Sequence, residues 1–579
     1  TRRTSRTRTN DGMKEKIAKA YRWFVNRLPE ALLLLFLTFL LPFLYLAGVA
    51  AWEQIQQITS GEKGFVGQIQ EDPWTLISIF ICLAGTAAVV YLLLRSRDLI
   101  WAVARKMIIE ALNRKTVLVL IVFFLVLMPS LPFILKTEGS LKSQVQITFM
   151  YALTLAEVLL SLVAIFVTTA SICREIEEKQ VHVTDSKPLP RWQFLAGKLL
   201  GIVVMCSALL FVMAAGAYGL VAYMSSNPDY SNLSEREIQE KKQERQRLAN
   251  EVLVSRTSVR APLPDVEQQV EQELQRLEEE GQLAEMGGRS EARNTVRNTL
   301  QQRSLAVPPM SRQRWVIRGL TPPEKSPHDY VYARFKLMVP GASQGDLVQG
   351  RWTGWLEQGQ REVNGSEQPQ RVFVPMFRVT QRWKPGSFQE LRLPAQLVTS
   401  EGTLHLSYMN MERSRTVIFP VEQRVEVLQQ VGTFMGNYYR SLVVIMFHIV
   451  LLAALGLMAG ALFSFPVASL LVVFIFGLGI AGPWFTSLTT TVRLAFNIED
   501  KPQLTYFLNA ILNNILFLVF TVVPHFAKNS PLNDLVSGRL VSWSFVSQVG
   551  AMMVFIKGGI ATLIGVYFYS KRELARVIV

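Results

Sequence analysis

The sequence contains very little cysteine. Only three of its 579 residues are cysteine, Cys82, Cys173 and Cys206, and all three lie in or beside apolar runs. Their positions show neither the spacing of a zinc site nor the framework of a small disulfide-stabilised domain. No metal site is predicted, and cysteine pairing is not expected to hold the fold together.

Charged residues are also scarce. Asp, Glu, Lys and Arg make up 18% of the chain, whereas 50% is hydrophobic. Several apolar runs approach 20 residues, the length of helix that spans a hydrocarbon core ~30 Å thick. The pattern predicts a multi-pass helical membrane protein. The net charge is +15, and basic residues flank these runs, where Lys and Arg face the cytoplasm. The charge is therefore explained by membrane orientation, and no nucleic-acid partner is expected.

A third absence concerns nucleotide binding and catalysis. The pattern Gly-x-x-x-x-Gly-Lys-Ser/Thr occurs nowhere, and Gly197-Lys198 lacks both the phosphate loop and the following hydroxyl residue. The chain is therefore not expected to bind ATP itself. No catalytic constellation stands out, so we predict that the protein is not an enzyme and has no cofactor of its own.

The apolar runs predict about eight membrane crossings. Residues 1–29 are basic and are predicted to be cytoplasmic. Residues 30–95 form an extra transmembrane hairpin, whose first span is longer than a signal-peptide core and is expected to be retained. Residues 116–224 and 437–579 form the two halves of the helical core. We expect both termini in the cytoplasm and the protein in the cell (inner) membrane.

One apolar run is predicted not to cross. Nine crossings would place the carboxyl terminus outside, but its residues Lys571, Arg572 and Arg576 favour the inside. The weakest run is 504–523, which contains three asparagines. We predict a re-entrant or interfacial helix hairpin there, covered by protein because exposed backbone is not tolerated at membrane depth.

Residues 96–115 are predicted to form an amphipathic elbow helix in the membrane interface. Trp101, Ala104, Ile108 and Ala111 recur at helical spacing, and basic side chains take the opposite face. The alternative is a frayed extension of the preceding span.

A large polar insert, residues 225–436, is predicted to be extracytoplasmic. Residues 225–310 are rich in Glu, Gln and Arg with a thin apolar stripe, which predicts a helical hairpin. Residues 311–436 contain short alternating runs separated by turns, typical of an all-β, sandwich-like domain. A β domain on a helical stalk would suit docking of an extracytoplasmic partner.

The charged stretch 173–198, here called the connector, lies between two apolar runs. Its ends are helix-like, and Pro188 and Pro190 stiffen its exit. A short, stiff, charged connector can pass a push from a cytosolic partner to both neighbouring spans. The alternative is a solvated loop with ordinary cytoplasmic charges. The candidate contact residues are Arg174, Glu175, Glu178, Lys187, Pro188, Arg191 and Lys198.

The elbow, the connector and the run Lys571-Arg572-Glu573-Leu574 together resemble the permease subunits of ABC type-2 transporters. The best-matching residues also include Gly197 and Gly201, and the pattern looks closest to permeases of nitrous-oxide-reductase maturation and gliding-type systems. The match departs at Gln180–Ser186, where the family usually has Gly-Thr and an apolar run.

The resemblance implies that the connector docks on a separate cytoplasmic ABC ATPase, which binds ATP and Mg, in a bacterial transporter for export or outward force transmission. It also implies a second permease copy or paralogue. A rival hypothesis is a non-transporting scaffold or sensor whose outer domain binds a partner. A secondary transporter is disfavoured by the absence of inverted-repeat symmetry.

Three ionisable residues lie inside predicted spans: Glu157, His448 and Lys557. An unpaired charge at membrane depth costs about 2.5–3.5 kcal/mol on insertion scales. Glu157 and Lys557 are predicted to lie at similar depth and to pair, either as a structural bridge or as a polar element of a translocation path. His448 has no second ligand residue at metal-site spacing and is predicted to be an interior histidine.

Overall fold

The computed structural model describes most of the chain outside the amino-terminal region. The described residues are 30, 73–95, 97–113, 122–123, 126–127, 130–131, 134, 141–177, 190–226, 234–280, 289–322, 330–341, 346–361, 370–421, 423–495 and 523–571. Residues 31–51 of the predicted amino-terminal hairpin, residues 504–522 of the predicted re-entrant or interfacial hairpin and most of residues 116–135 lie outside them.

The helices of the described residues fall into a membrane core and an insert. They are α1 Pro73–Arg95, α2 Arg97–Asn113, α3 Leu141–Glu177, α4 Arg191–Ser226, α5 Glu235–Glu251, α6 Glu267–Glu279, α7 Arg289–Ser304, α8 Phe434–Leu462, α9 Phe465–Ala495, α10 Leu532–Val536 and α11 Trp543–Lys571. Residues Ala551–Gly558 of α11 are wound as a π-helix.

Five of these helices are long and apolar enough to cross a membrane: α3, α4, α8, α9 and α11. Together with the β-sheet region they confirm a polytopic helical membrane protein that carries a β domain. Helices α3 and α8 run parallel, since Phe149 near the start of α3 packs on Phe434 at the start of α8 with ring centroids 5.8 Å apart. We call the end where these helices begin the β-domain side, and the end next to the connector the connector side.

Helix α2 is the predicted elbow and is a separate element from α1. Its buried positions include Ala104, Ile108 and Ala111, which are three of the residues on the predicted apolar face. They pack against α4. The 3.6-residue period therefore places the correct face against the core.

The insert contains two four-stranded sheets that share one core. The strands are β1 Val254–Arg260, β2 Ala306–Val307, β3 Arg312–Arg318, β4 Tyr330–Lys336, β5 Val348–Arg361, β6 Gln370–Trp383, β7 Phe388–Pro394, β8 Thr403–Asn410, β9 Val417–Ile418 and β10 Glu426–Thr433. One sheet has the order β1-β10-β4-β7 and the other β3-β8-β5-β6, and β2 pairs with β9. Every pairing between these strands is antiparallel.

The core of the β domain is aromatic. Trp352 is fully buried, and the rings of Phe335, Tyr408 and Trp315 lie 4.6, 5.1 and 5.7 Å from it. These residues come from both sheets, so the two sheets pack face to face as a sandwich.

The prediction of one helical hairpin over residues 225–310 is wrong. The structure places strand β1 between α5 and α6, and only α6 and α7 form a hairpin, in which Glu267 accepts hydrogen bonds from Arg293 and Arg297. Strand β1 pairs along its length with β10, the last strand of the domain. Its sequence, Val-Ser-Arg-Thr-Ser-Val-Arg, alternates only weakly, and its partner β10 lies far along the chain, so no neighbouring turn marks the pairing.

Candidate functional site

A buried ion pair joins the two helices that flank the connector. The Lys198 ammonium lies 2.6 Å from a carboxylate oxygen of Glu175, and their side chains are only 4% and 14% exposed. Lys198 also donates to the carbonyl and the hydroxyl of Ser171, at 3.0 and 2.6 Å. The pair therefore fastens the end of α3 to the first turns of α4. We call Glu175, Lys198 and Ser171 the clamp.

The elbow helix packs against the same turns of α4. A Cβ atom on Gly197 would lie 2.7 Å from the Cβ of Val103 and 2.8 Å from the carbonyl of Ile100, and one on Gly201 would lie 2.8 Å from the carbonyl of Ala104. Glycine at both positions lets the two helix backbones approach closely. The spacing Gly-x-x-x-Gly is thus the contact surface for α2.

Arg191 links the start of α4 to the end of α11. Its guanidinium donates to the carbonyls of Ser570 and Tyr569, at 2.5 and 3.4 Å. An arginine at this place satisfies carbonyls that the last turn of a helix leaves free, and it interacts favourably with the helix dipole. The connector and the end of α11 consequently lie on the same side of the helical core.

Several predicted contact residues therefore have internal roles. Glu175 and Lys198 are buried in the clamp, so the prediction that these two face a docking partner is corrected. Arg191 contacts α11 but is only half-buried, and its contact with a partner stays a prediction. A buried lysine needs a charged partner inside the protein, because desolvation otherwise disfavours its charge. Arg174 is exposed. The remaining candidates, Glu178, Lys187 and Pro188, lie outside the described residues.

The clamp includes one residue, Ser171, that the sequence does not indicate, because a serine in an apolar helix carries no distinctive pattern. The spacing of Gly197 and Gly201, in contrast, is a known signature of close helix packing. A lysine directly after the first of these glycines, at a helix–helix contact, could have been predicted to be buried.

The charged residues within the helical core pair differently from the prediction. Glu157 lies 2.7 Å from Nδ1 of His448, which is fully buried. Lys557 instead donates to the carbonyl of Val523, at 3.3 Å. The predicted Glu157–Lys557 pair is wrong because α8 packs against both α3 and α11 and lies between them. Equal depth in the membrane does not make two residues neighbours.

The surroundings of His448 are those of an interior side chain. Within the described ranges, no group of three or more His, Cys, Asp or Glu side chains could hold a metal ion. The His448 ring packs edge-on against Phe526, with centroids 5.2 Å apart. His448 thus has an acidic partner on one side and an aromatic ring on another, which suits an interior histidine.

A second group of buried charges lies where the β domain meets the helical core. Arg256 of β1 is 1% exposed and forms an ion pair of 3.0 Å with Glu390 of β7. Its guanidinium also donates to the carbonyls of Glu251, at the end of α5, and of Ser537, at 2.8 and 3.0 Å. Arg256 therefore connects the stalk helix, the β sandwich and the segment that precedes α11.

Glu426 of β10 is the second centre of this region. It forms an ion pair with Arg539, and it accepts a hydrogen bond of 2.7 Å from Ser258. The backbone of Arg539 is held as well, since Asn437 of α8 donates to its carbonyl at 2.6 Å. We call the residues Arg256, Glu390, Glu426 and Arg539, with the segment Ser537–Val541, the junction.

The backbone around the junction is closely packed. The amide of Arg256 donates to the carbonyl of Gly538 at 2.9 Å, and the amide of Leu540 donates to the carbonyl of Arg256 at 2.8 Å. Gly538 has a φ of +67°, and a Cβ there would lie 2.3 Å from the carbonyl of Glu251. Only glycine fits this position without strain. The segment before α11 is thus held against the edge of the β domain like a further strand.

Burial and charge oppose each other at Glu390. Burial alone would raise the pKa of this carboxyl group, but the positive charges of Arg256 and Lys142 outweigh it, and the pKa lies below its ordinary value of 4.5. Glu390 is therefore ionised at neutral pH, and its charge belongs to the folded junction.

The β domain is joined to α8 without a loop. Strand β10 ends at Thr433 and α8 begins at Phe434. The Thr433 side chain accepts a hydrogen bond from the amide of Gly436, so the last strand residue is also the cap of the helix. Close to this connection, Lys142 of α3 pairs with Glu251 of α5 at 2.5 Å.

Comparison with known proteins locates one related segment. Residues 101–236 match the family model described as ABC-2 family transporter protein. No curated protein and no solved structure matches the chain. The matched segment begins in α2, contains α3, the connector and α4, and ends in α5. It contains the whole clamp, and it supports an ABC-2-type membrane permease.

Proposed function

We propose that the chain is the permease subunit of an ABC transporter of type 2 and that a separate cytoplasmic ATPase drives it. The observation that carries the proposal is the coincidence of the matched segment with the clamp. The same 136 residues that match the family model contain most of the elbow, the whole connector and the ion pair that joins the two flanking helices.

The clamp determines how a force on the connector is distributed over the helices. Glu175 and Lys198 join α3 to α4, Gly197 and Gly201 seat α2 on α4, and Arg191 joins α4 to α11. A force on the connector is therefore shared by four helices rather than bending one loop. Rigid-body movement of packed helices is a common form of switching transition.

The far ends of the same helices reach the β domain. Helix α3 contacts the stalk through Lys142 and Glu251, and the junction holds the segment before α11 against β1. We propose that helix movement on the connector side is passed to the β domain as outward force, or that it serves export of a substrate. In this proposal the connector and both termini are cytoplasmic, the insert is extracytoplasmic, and a second permease copy or paralogue completes the transporter in the inner membrane of a bacterium.

The decisive test is association with an ATPase. The probe is a cytoplasmic P-loop ATPase from the source organism, co-expressed with this chain and purified through a tag on the permease. We expect the two to co-purify and ATP hydrolysis to depend on the permease. The charge reversals Glu178→Lys and Lys187→Glu should abolish association, since both lie in the connector but outside the clamp.

A matched control distinguishes docking from misfolding. Arg303→Glu, on the exposed face of α7, makes a similar charge change far from the connector and should leave association intact. Reversal at Arg191 is a poorer test, because it would also release α11. A well-inserted permease that binds no ATPase would contradict the proposal and favour the scaffold or sensor hypothesis.

A further inference from the structure

One face of the β domain is covered with arginine. In the sheet β3-β8-β5-β6, alternate residues point away from the sandwich core, and the strand register places them in rows. One row is Arg312, Met409, Arg351 and Thr380, and the next is Arg314, Ser407, Thr353 and Arg378. The arginines of this face, here called the arginine face, are Arg312, Arg314, Arg318, Arg351, Arg378 and Arg382.

An aromatic side chain lies at the centre of the arginine face. The guanidinium carbons of Arg312 and Arg314 lie 5.8 and 5.6 Å from the ring centroid of Trp355. The indole nitrogen of Trp355 donates to the hydroxyl of Ser407 at 3.0 Å, which fixes the ring against the sheet. Beside it, the rings of Phe373 and His405 lie 4.4 Å apart. The face is thus ordered as well as charged.

The arginine face contains no compensating charge in its rows. Neither of the two rows contains a lysine or a carboxylate, and the one acidic residue of these strands that the register places on this face, Glu357, lies beyond the rows, opposite Phe373. Among the residues that the structure describes, no salt bridge joins Arg312, Arg314 or Arg378 to an acid. Neighbouring strands are ~4.8 Å apart and alternate residues ~6.7 Å apart, so these cations crowd one another, and like charges on a sheet face are destabilising.

In the opposite sheet, β1-β10-β4-β7, partner side chains offset the repulsion between neighbouring arginines. There Arg256 is paired with Glu390, Arg334 lies 3.7 Å from Glu426, and Arg392 stacks on Tyr330 with its guanidinium carbon 3.4 Å from the ring centroid. Two of these arginines, Arg256 and Arg334, have a carboxylate partner within the protein. Arg312 and Arg314 contact the ring of Trp355 but form no salt bridge among the described residues. The contrast indicates that the carboxylates for the arginine face come from another molecule.

The composition of the face identifies the class of partner. Arg, Trp, Met and Phe are enriched at the centres of protein–protein interfaces, where Lys, Glu and Asp are depleted. Arginine also forms forked hydrogen bonds with carboxylates. Exposed apolar side chains lie among the charges, since Val316 and Met376 are 36% and 55% exposed. A polysaccharide would leave these two without an apolar contact, whereas a folded protein would bury them.

We propose that the arginine face docks the acidic surface of a second protein, on the same side of the membrane as the β domain. Trp355 is the aromatic anchor, and the flanking arginines pair with carboxylates of the partner. This inference does not depend on the ATPase, because the connector lies at the opposite end of the helical core. Loss of ATPase binding would therefore leave it unaffected.

The first experiment traps the partner in native cells. A photo-crosslinking amino acid replaces Thr380, which is exposed in the first row, or Asn298, which is exposed on α7 and serves as the matched control. We expect a discrete protein adduct from Thr380 and none from Asn298. Adducts of equal yield at both positions, no adduct, or an adduct that is a polysaccharide or a lipid would overturn the proposal.

The second experiment measures the contact with the trapped protein after purification, using the full chain in detergent. The double variant Arg314→Glu with Arg378→Glu should weaken binding at least ~30-fold, the effect expected of interface hot spots. Arg303→Glu should stay within about twofold, and circular dichroism checks that the sandwich of the double variant is intact. Acid-to-arginine changes on the partner should restore binding to the double variant. Unchanged affinity in the folded double variant, or no restoration, would overturn the proposal.

Discussion

The two groups of buried charges, the clamp and the junction, are built on different principles. The clamp contains one lysine and one carboxylate with a serine beside them, surrounded by helices. The junction spreads its charges over Arg256, Glu390, Glu426 and Arg539, and it adds backbone carbonyls as acceptors. Loss of Lys198 leaves Glu175 with the weaker influence of Lys106, whereas loss of Arg256 leaves Glu390 with both Lys142 and Arg334. A single substitution should therefore remove most of the stability that the clamp contributes, whereas the junction should lose its contribution in smaller steps.

The largest effect is expected from breaking the clamp on one side. Lys198→Met would leave Glu175 buried without its partner, at a cost of about 4–5 kcal/mol, the upper part of the range for such pairs. Thermal unfolding in detergent measures the change. The double variant Lys198→Met with Glu175→Leu removes both charges and should recover most of the loss. If the double variant is no more stable than the single one, the clamp does not act as a pair.

A somewhat smaller effect is expected at the junction. Arg256→Met would leave Glu390 without its closest cation, but Lys142 and Arg334 remain near it, as their influence on its pKa indicates. We expect about 3 kcal/mol, the lower end of the range for a broken buried pair. Hydrogen exchange should rise in β1 and Ser537–Val541 and stay unchanged in α3. Equal deprotection of both regions would contradict a separate junction.

The glycine contact of the elbow should be less costly. Gly197→Ala places a methyl group against Val103 and the carbonyl of Ile100, and overpacking of this kind costs about 1–3 kcal/mol. Gly219→Ala is the matched control, because it lies in the same helix and a Cβ there meets no atom within 4 Å. Unfolding temperatures of the two variants give the comparison. Helix propensity favours alanine over glycine, so Gly219→Ala should not lower the unfolding temperature, and a similar loss in both variants would contradict a specific contact between Gly197 and α2.

The smallest effect concerns pH. The pKa of Glu390 is lower in the folded protein than its ordinary value of 4.5, so its contribution to stability is present above pH 4.5 and is lost as the pH falls through the folded pKa. Hydrogen exchange of β1 between about pH 5 and pH 3 should show gradual loosening of the junction. Glu390→Gln should flatten this pH dependence. An unchanged slope in that variant would assign it to other carboxylates.

The sequence predicted those features that are encoded by local periodicity. The long apolar runs predicted α3, α4, α8 and α11, and the buried face of α2 followed from a 3.6-residue repeat. The β domain was predicted from alternating runs between turns. These patterns are short-range, because a residue's side of a helix or strand depends only on its near neighbours.

Features that depend on distant partners could not be predicted in this way. Strand β1 is identifiable only through β10, and the partner of Glu157 is His448 because α8, rather than α11, packs beside α3. The composition of the connector suggested charges facing outward, yet Lys198 lies inward. A charged residue next to a membrane span has the same sequence pattern whether its side chain faces water or pairs with a carboxylate on the next helix.

The direct transition from β10 to α8 has a consequence for how motion could be observed. Because no flexible linker separates Thr433 from Phe434, the β domain cannot keep its orientation when α8 rotates about its axis. A small rotation of α8 within the membrane displaces the far end of the sandwich, and this displacement grows with distance from the helix axis. A spectroscopic label on a distant strand of the β domain would therefore report rotation of a helix that is buried in lipid.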